Sequence, residues 1–404
     1  MLQEKLLTYA GLMLFVMGLC QISCKKNAVA DFRHISNIKT VDKDIDLTPY
    51  IYDLSFIPLG EGKGLNLRMA NRYFFYDDMI IVQENKRNSN IYIYDLDGKF
   101  KELLNYSIAD LPEKNEDNAF GSIDFTVDQE RGYVYVSNSY QKCVLKHDLK
   151  SRLNKIVIKD VQGISIIYHK DFLYLLTMDK ENGLLKIVDT KNFTQSESCI
   201  YDSKPEVGVG ATTSNNMIIK EDNILLSLFM SDTIYCINKY KFLPYYILGT
   251  TPEVSVRFAQ LKELDYYYYE ERIDKYPNLL APWGEIGYIH NALFLQLFTK
   301  KWLVINLKND DAYIIPYTSV SRNNQLFSTP FVYSLNYQDE YYGSYIKLTY
   351  EFYELANKLI NSKVNPSIIQ ALQVLIQDYP PEREFQNPVI TRFKIRENFM
   401  DELN

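Results

Sequence analysis

Five stretches of the chain alternate apolar with other residues and then stop at Asp or Asn. They are Ile91-Tyr92-Ile93-Tyr94-Asp95, Val144-Leu145-Lys146-His147-Asp148, Leu185-Lys186-Ile187-Val188-Asp189, Ile234-Tyr235-Cys236-Ile237-Asn238 and Trp302-Leu303-Val304-Ile305-Asn306. Period-two alternation closed by a turn-forming residue describes a β-strand running into a tight turn. The closing residues fall 53, 41, 49 and 68 positions apart. The first three intervals match the roughly 40 to 50 residues of a four-stranded propeller blade, and the last requires an insertion.

Each stretch follows a hairpin with its own polar turn. Phe74 to Tyr76 and Ile80 to Val82 flank Asp77-Asp78, and Ile123 to Val127 and Tyr133 to Val136 flank residues 128–132. Ile164 to Tyr168 and Leu173 to Leu176 flank His169-Lys170-Asp171. Ile218-Ile219 and Ile224 to Leu228 flank Glu221-Asp222-Asn223, and Tyr288-Ile289 and Leu293 to Leu297 flank His290-Asn291. After Asp95 the turn Leu96-Asp97-Gly98-Lys99 leads to a fourth strand, Phe100 to Leu104. Five such units predict an all-β fold, a six-bladed β-propeller of four-stranded antiparallel blades rather than a sandwich.

The sixth unit is degraded: Phe331 to Leu335 and Tyr345 to Leu348 read as two strands and Val389 to Ile395 as a third. The N-terminal strand Leu54 to Leu59 is expected to complete that blade, because a circular array of sheets closes best with no exposed edge. Pro58 suits an edge position there. Residues 250–282, which contain Tyr266-Tyr267-Tyr268-Tyr269-Glu270-Glu271-Arg272, read as a long loop or partly helical insert on one face. Residues 350–385 form a small helical insert: Phe352, Leu355, Ala356 and Leu359 keep helical spacing, as do Ile368, Ala371, Leu372 and Leu375. Asn365-Pro366 supplies an N-cap and a first-turn proline, and Pro380-Pro381 stops the second helix. These helices are expected on the ring's outer edge or over one mouth.

With 34 Tyr and 21 Phe against 14 Pro and 16 Gly among 404 residues, the chain is no disordered polymer. Beyond the N-terminus no apolar run reaches the 18 or so residues of a spanning helix. Forty-four basic and 51 acidic residues give a net charge of −7, without the basic stripe of a nucleic-acid binder.

The N-terminus carries an address. Lys5 precedes an apolar run from Leu6 to Leu19, which fits the core of a secretory signal. The run ends at Gln21-Ile22-Ser23-Cys24, which resembles the bacterial lipobox, with Gln21 standing where the usual motif has Leu. The resemblance implies a lipoprotein whose residues 1–23 are removed and whose Cys24 carries palmitate. Cys20 is a rival site, but the bulky Leu19 before it argues against cleavage there. The mature charge stays at −7, since Glu4 and Lys5 leave together. Cys143, Cys199 and Cys236 permit at most one bridge and read as small buried apolar residues.

The strand pattern itself resembles the six-bladed β-propeller lipoproteins of Bacteroidetes, a family of unknown function. The similar stretches are Phe56-Ile57-Pro58-Leu59, Ile91 to Asp95 with Gly98-Lys99-Phe100, Asp232 to Asn238, and Asn387-Pro388-Val389-Ile390. They cover nearly the whole mature chain but are strand-and-turn motifs, so they imply a fold and no catalytic residue. Poverty in Gly and the tyrosine-rich insert depart from the family pattern.

A search for chemistry is less productive. His34, His147, His169 and His290 lie far apart with no metal-ligand spacing. Asp95-Leu96-Asp97-Gly98 lacks the further ligands of a calcium loop and reads as a β-turn. Gly208-Val209-Gly210 has no third glycine or following helix for a dinucleotide, and no GxSxG elbow occurs. No cofactor, metal or catalytic residue is therefore assigned. Paired carboxylates at a propeller mouth would suit a carbohydrate-active hydrolase or lyase, with Glu270, Glu271, Asp274 and Glu285 as candidates. Binding is the preferred reading, with Tyr266, Tyr267, Tyr268, Tyr269 and Arg272 as the ligand-contacting residues, since exposed aromatic rings beside Arg suit stacking on sugars or partners. Asp232-Thr233-Ile234 also resembles the short O-glycosylation motif of secreted Bacteroidetes proteins.

The expectation is a signal peptide (1–23), an anchor linker (24–50), a propeller (51–396) with inserts at 250–282 and 350–385, and a tail (397–404). The protein is expected to be monomeric and lipid-anchored at the outer membrane of the cell envelope. It would act as a binding or scaffold module for a glycan, peptide or envelope protein. Lys25-Lys26 after the anchor gives no acidic surface-export signal and favours the periplasmic face.

Overall fold

The computed structural model describes residues 33–35, 38–41, 46–60, 67, 70, 72–84, 90–104, 123–177, 185–198, 215–228, 231, 233–239, 241–248, 282–297, 301–316, 333–336, 341–362, 365–383, 385 and 387–403. The chain opens with β1 (Arg33–Ile35), β2 (Ile38–Thr40) and β3 (Ile51–Pro58). Blade I then comprises β4 (Arg72–Tyr76), β5 (Met79–Gln83), β6 (Ile91–Asp95) and β7 (Phe100–Leu104). Blade II is β8 (Ile123–Asp128), β9 (Tyr133–Asn138), β10 (Cys143–Asp148) and β11 (Asn154–Lys159). Blade III is β12 (Gly163–His169), β13 (Phe172–Thr177), β14 (Leu185–Asp189) and β15 (Gln195–Ser198). Blade IV has β16 (Met217–Lys220), β17 (Asn223–Ser227), β18 (Thr233–Asn238) and β19 (Lys241–Leu248). Blade V has β20 (Pro282–Ile289), β21 (Ala292–Leu297), β22 (Lys301–Asn306) and β23 (Ala312–Pro316). Blade VI uses β24 (Tyr333–Asn336), β25 (Tyr341–Ile346) and β26 (Val389–Ile395).

These six antiparallel sheets form a six-bladed β-propeller, with the first strands of successive blades meeting about the axis and β24 reaching β4. Blade VI is completed by β3, which pairs antiparallel with β26 from Val389 opposite Pro58 to Ile395 opposite Ile51. The two ends of the ring thus close in one blade, with Pro58 on its outer strand as expected. The degraded blade's strands are displaced from their expected limits, to Tyr333–Asn336 and Tyr341–Ile346. Blades IV and V are five-stranded: β1 adds in parallel to β19 and β2 to β23. Part of the stretch expected as a linker is therefore a belt around blades IV and V before it enters blade VI.

The alternation in the sequence reports contact with two neighbours. Ile80, Val82, Tyr92 and Tyr94 pack toward blade VI with Ile57 and Ile390, whereas Ile81, Ile91 and Ile93 pack toward blade II with Phe125, Val134 and Leu145. Each inter-blade seam is such a cluster, and each fully buried side chain of this size contributes roughly 2 kcal/mol. Many tyrosines belong to these seams; Tyr94, Tyr135, Tyr174, Tyr246 and Tyr313 are fully buried.

The closing Asp residues act through local hydrogen bonds, which explains their repetition. Asp95 Oδ1 accepts from the N–H groups of Asp97 and Lys99, Asp148 Oδ1 from Lys150 and Ser151, and Asp189 Oδ1 from Lys191. Asn306 Oδ1 does the same for Lys308, while Asn238 instead donates to Asn223. Gly98 is needed in the first of these turns: it has φ +79°, and a Cβ there would lie 2.0 Å from the Pro58 carbonyl oxygen.

Helices α1 (Tyr350–Ser362) and α2 (Pro366–Asp378) lie between β25 and β26; α2 packs against β3 on the outer side of blade VI and α1 packs on α2. Asn365 caps α2 by accepting from Ile368 N–H, and its Nδ2 donates to the carbonyls of Thr48 and Ile51. No helix among the described residues is long and apolar enough to cross a membrane.

Candidate functional site

A cavity of about 630 Å³ lies on the axis, lined by the first strands of blades I to V and by three of their hairpin turns. Blades I and II contribute Arg72, Phe74, Thr126 and Glu130; blade III contributes Ile167 to Asp171; blades IV and V add Asn215, Met217, Ile218, Glu221 and Ile286. No residue of α1 or α2 lines it. The pleat alternates polar with apolar residues in β8, where Asp124, Thr126 and Asp128 share one face, the whole strand is buried and Thr126 lines the cavity.

One ion pair braces the inner strands. Arg72 Nη1 meets Asp124 Oδ1 at 2.5 Å, and Asp124 is fully buried. Asp124 Oδ2 also accepts from Ser165 Oγ at 2.9 Å and Ile166 N at 3.0 Å, so one carboxylate joins blades I, II and III. The Arg72 guanidinium lies over the Phe74 and Phe125 rings. Further ties cross the same seams: Gln83 Nε2 donates to the Ile123 carbonyl, and Ser137 Oγ to that of Gly163.

At the mouth ringed by the first hairpin turns, Arg131 bridges Asp128 and Asp171, and its Nη1 donates to the Tyr168 hydroxyl. Lys191 also meets Asp171, at 3.0 Å, and these cations hold the Asp171 carboxyl below its ordinary range. Lys170 pairs with Asp222, whose carboxyl is lowered by that contact. Burial pushes Tyr168 up to about 12 and holds His169 below the usual imidazole value. Asp124, Asp128 and Asp171 are thus engaged by cations or donors, an arrangement suited to holding a rigid site.

The ligand-contacting residues expected from sequence, Tyr266, Tyr267, Tyr268, Tyr269 and Arg272, lie outside the described residues, as do Glu270, Glu271, Asp274, Cys24, Cys199 and Asp232. Glu285 and Thr233 are described, in β20 and at the start of β18. Cys143 and Cys236 are free thiols, and burial pushes Cys143 up to about 11. Asp95 of the calcium-like stretch spends its carboxylate on its own turn and on Lys101. Among the described residues no group of three His, Cys, Asp or Glu side chains converges as a metal site. Sequence reading missed Arg72, Asp124, His169 and Glu130; the one available signal was the polar alternation of β8.

No family model matches the chain, and no curated protein matches it in sequence. In structure it is similar to a Bacteroides fragilis protein described as exported, with a TM-score of 0.60 at 13% identity over 90% of this chain and 100% of that one. BamB from Moraxella catarrhalis aligns at a TM-score of 0.36 and 10% identity, over 65% of this chain and 67% of that one. At these identities the likeness concerns the fold alone.

Proposed function

We propose that the protein is an exported, lipid-anchored propeller of the cell envelope that binds a glycan, peptide or partner protein in its axial channel. The observation carrying this reading is the open cavity of about 630 Å³, walled by five blades and left uncovered by the helical insert. Its volume is that of a small-molecule or peptide-segment pocket, with mainly apolar walls and a few placed polar groups. The export description of the Bacteroides fragilis neighbour and the lipobox-like Ser23-Cys24 support the envelope location.

The test is occlusion. In Lys170→Cys, a bulky maleimide at the mouth is expected to abolish ligands found on glycan and peptide arrays. The same label on Lys239→Cys, on the outer turn of blade IV, is expected to leave them bound. Equal binding in both labelled proteins would refute a channel site. Palmitate labelling that persists in Cys24→Ala would refute the anchor.

A further inference from the structure

We infer that the outer edge of blade II takes a short, extended, acidic segment of a partner protein as a fifth strand, laid in parallel beside Asn154, Lys155 and Ile156. This edge is separate from the axial channel, and the inference does not rest on the channel reading.

The fold already pairs with itself in this way. In blade V, β2 lies parallel to β23, with Ile38 opposite Ala312, Lys39 opposite Tyr313 and Thr40 opposite Ile314. Counted from the residue that closes the third strand, Ala312 to Ile314 are the counterparts of Asn154 to Ile156. Ile305 and His147, each one place before that residue, face Ala312 and Asn154 respectively. In blade II, β11 ends its sheet, and among the described strands only β10 pairs with it. Its one irregularity, Val157 skipped in the pairing with β10, is no bar, because β19 skips Tyr245 in the same way and still carries β1. An open edge of this kind presents backbone donors and acceptors that an extended peptide matches.

Charge selects the segment. Residues 142–160 hold six basic side chains against two acidic ones, a net of +4 in a chain of net −7. Lys142, Lys150, Lys155 and Lys159 are exposed, and no carboxylate among the described residues pairs with them. Of the two acidic residues, Asp148 accepts from the N–H groups of its own turn, and Asp160 lies past the end of β11. Lys146 stands directly opposite Lys155, a like-charge pair that costs stability and that an anion beside it would relieve. In blade V the ammonium of Lys39 lies over the Tyr313 ring. Lys155 takes the place of Tyr313 in blade II, so the corresponding position of an added strand calls for a carboxylate. Lysine on an edge discourages pairing with a like edge, which leaves an acidic strand as the complement. At the start of the edge, Leu153 is 69% exposed and offers an apolar contact. The outer strand of blade I has no such excess, since its Lys101 and Glu102 are paired with Asp95 and Arg152.

The experiment is a titration of the full-length protein in detergent with a library of seven-residue peptides that alternate Asp or Glu with Val, Ile or Thr. The same peptides N-methylated at alternate residues, dextran sulfate and phosphatidylglycerol vesicles are run beside it. Acidic peptides are expected to bind, N-methylation to abolish binding, and Lys155→Glu with Lys159→Glu to weaken it about tenfold or more. Peptides with Lys in place of the acidic residues are expected to bind that double variant instead. Both lysines are exposed, so an unchanged thermal melt is the folding control. Absence of peptide binding, equal binding of the N-methylated peptides, or binding unaffected by the two substitutions overturns the inference. Binding of dextran sulfate or vesicles alone overturns it too, leaving a surface that merely attracts anions. The maleimide label on Lys170→Cys is expected to leave the acidic peptides bound. If that label blocks them, they occupy the channel, and the edge site falls while the channel reading stands. If the label blocks no ligand but the acidic peptides still need Lys155 and Lys159, the channel reading falls alone.

Discussion

Blades II and VI share one strand order and are built in opposite ways. Blade II is one continuous run from Ile123 to Lys159, its strands joined by short turns. Blade VI draws β3 from one end of the chain and β26 from the other, with two helices between β25 and β26. Blade II is stitched to its neighbours at the axis through Asp124, which reaches Arg72 on one side and Ser165 and Ile166 on the other. Blade VI is secured at its rim, by a large apolar cluster that joins Phe393, Val389 and Ile51 to Phe352, Leu372 and Leu375 of the helices. The difference teaches that a local blade can rely on directional polar ties, because its register is already fixed by its turns. A blade assembled across the whole chain needs broad burial instead, to offset the entropy of closing so long a loop.

The largest effect should come from breaking the tie of the contiguous blades. Asp124→Ala leaves Arg72 charged and nearly buried, and is expected to cost about 3–5 kcal/mol in denaturant unfolding. The double variant Arg72→Met, Asp124→Leu should regain most of that loss. A neutral Asp124→Ala would end the polar account of blade II.

Next comes the rim of blade VI. Asn365→Ala removes the α2 cap and strands two carbonyls, for an expected loss of about 2 kcal/mol. Hydrogen exchange should rise in β3 and α2 while blade II amides stay protected; a uniform rise would erase the contrast.

The smallest effect is acid sensitivity. Lys101 and turn N–H groups lower Asp95, the N–H groups of Ser151 and Lys150 lower Asp148, and Arg131 and Lys191 lower Asp171. Depressed folded-state values mean that the stability from these groups is complete above the unfolded value, near 3.9. It is lost as pH falls through the lower folded values. Exchange between pH 4 and 2 should therefore loosen the outer turns of blades I and II and the first hairpin turn of blade III first. Glu351 in α1 is lowered too, so the helical insert should follow, with β26 last.

Five blades were legible in the sequence because both faces of each sheet meet a neighbour and, in all but blade IV, the third strand ends in a side chain that closes its own turn. Blade VI blurred where that logic lapses: β25 reads Tyr-Tyr-Gly-Ser-Tyr-Ile, and buried Ser344 breaks the apolar pattern. The three-residue strands β1 and β2 are too short for any period to be read. The channel was hidden for another reason. Arg72 and Asp124 are 52 positions apart, and neither means anything until two blades stand side by side.

The long reach of β3 also sets an order of events. Translation delivers the N-terminus first, yet Pro58 has no partner until Val389 arrives. Until then β3 is an unpaired, largely apolar strand, the kind of segment that chaperones hold and proteases cut. Closure of the ring is thus the last pairing to form, and a chain truncated before β26 is expected to leave β3 without its partner.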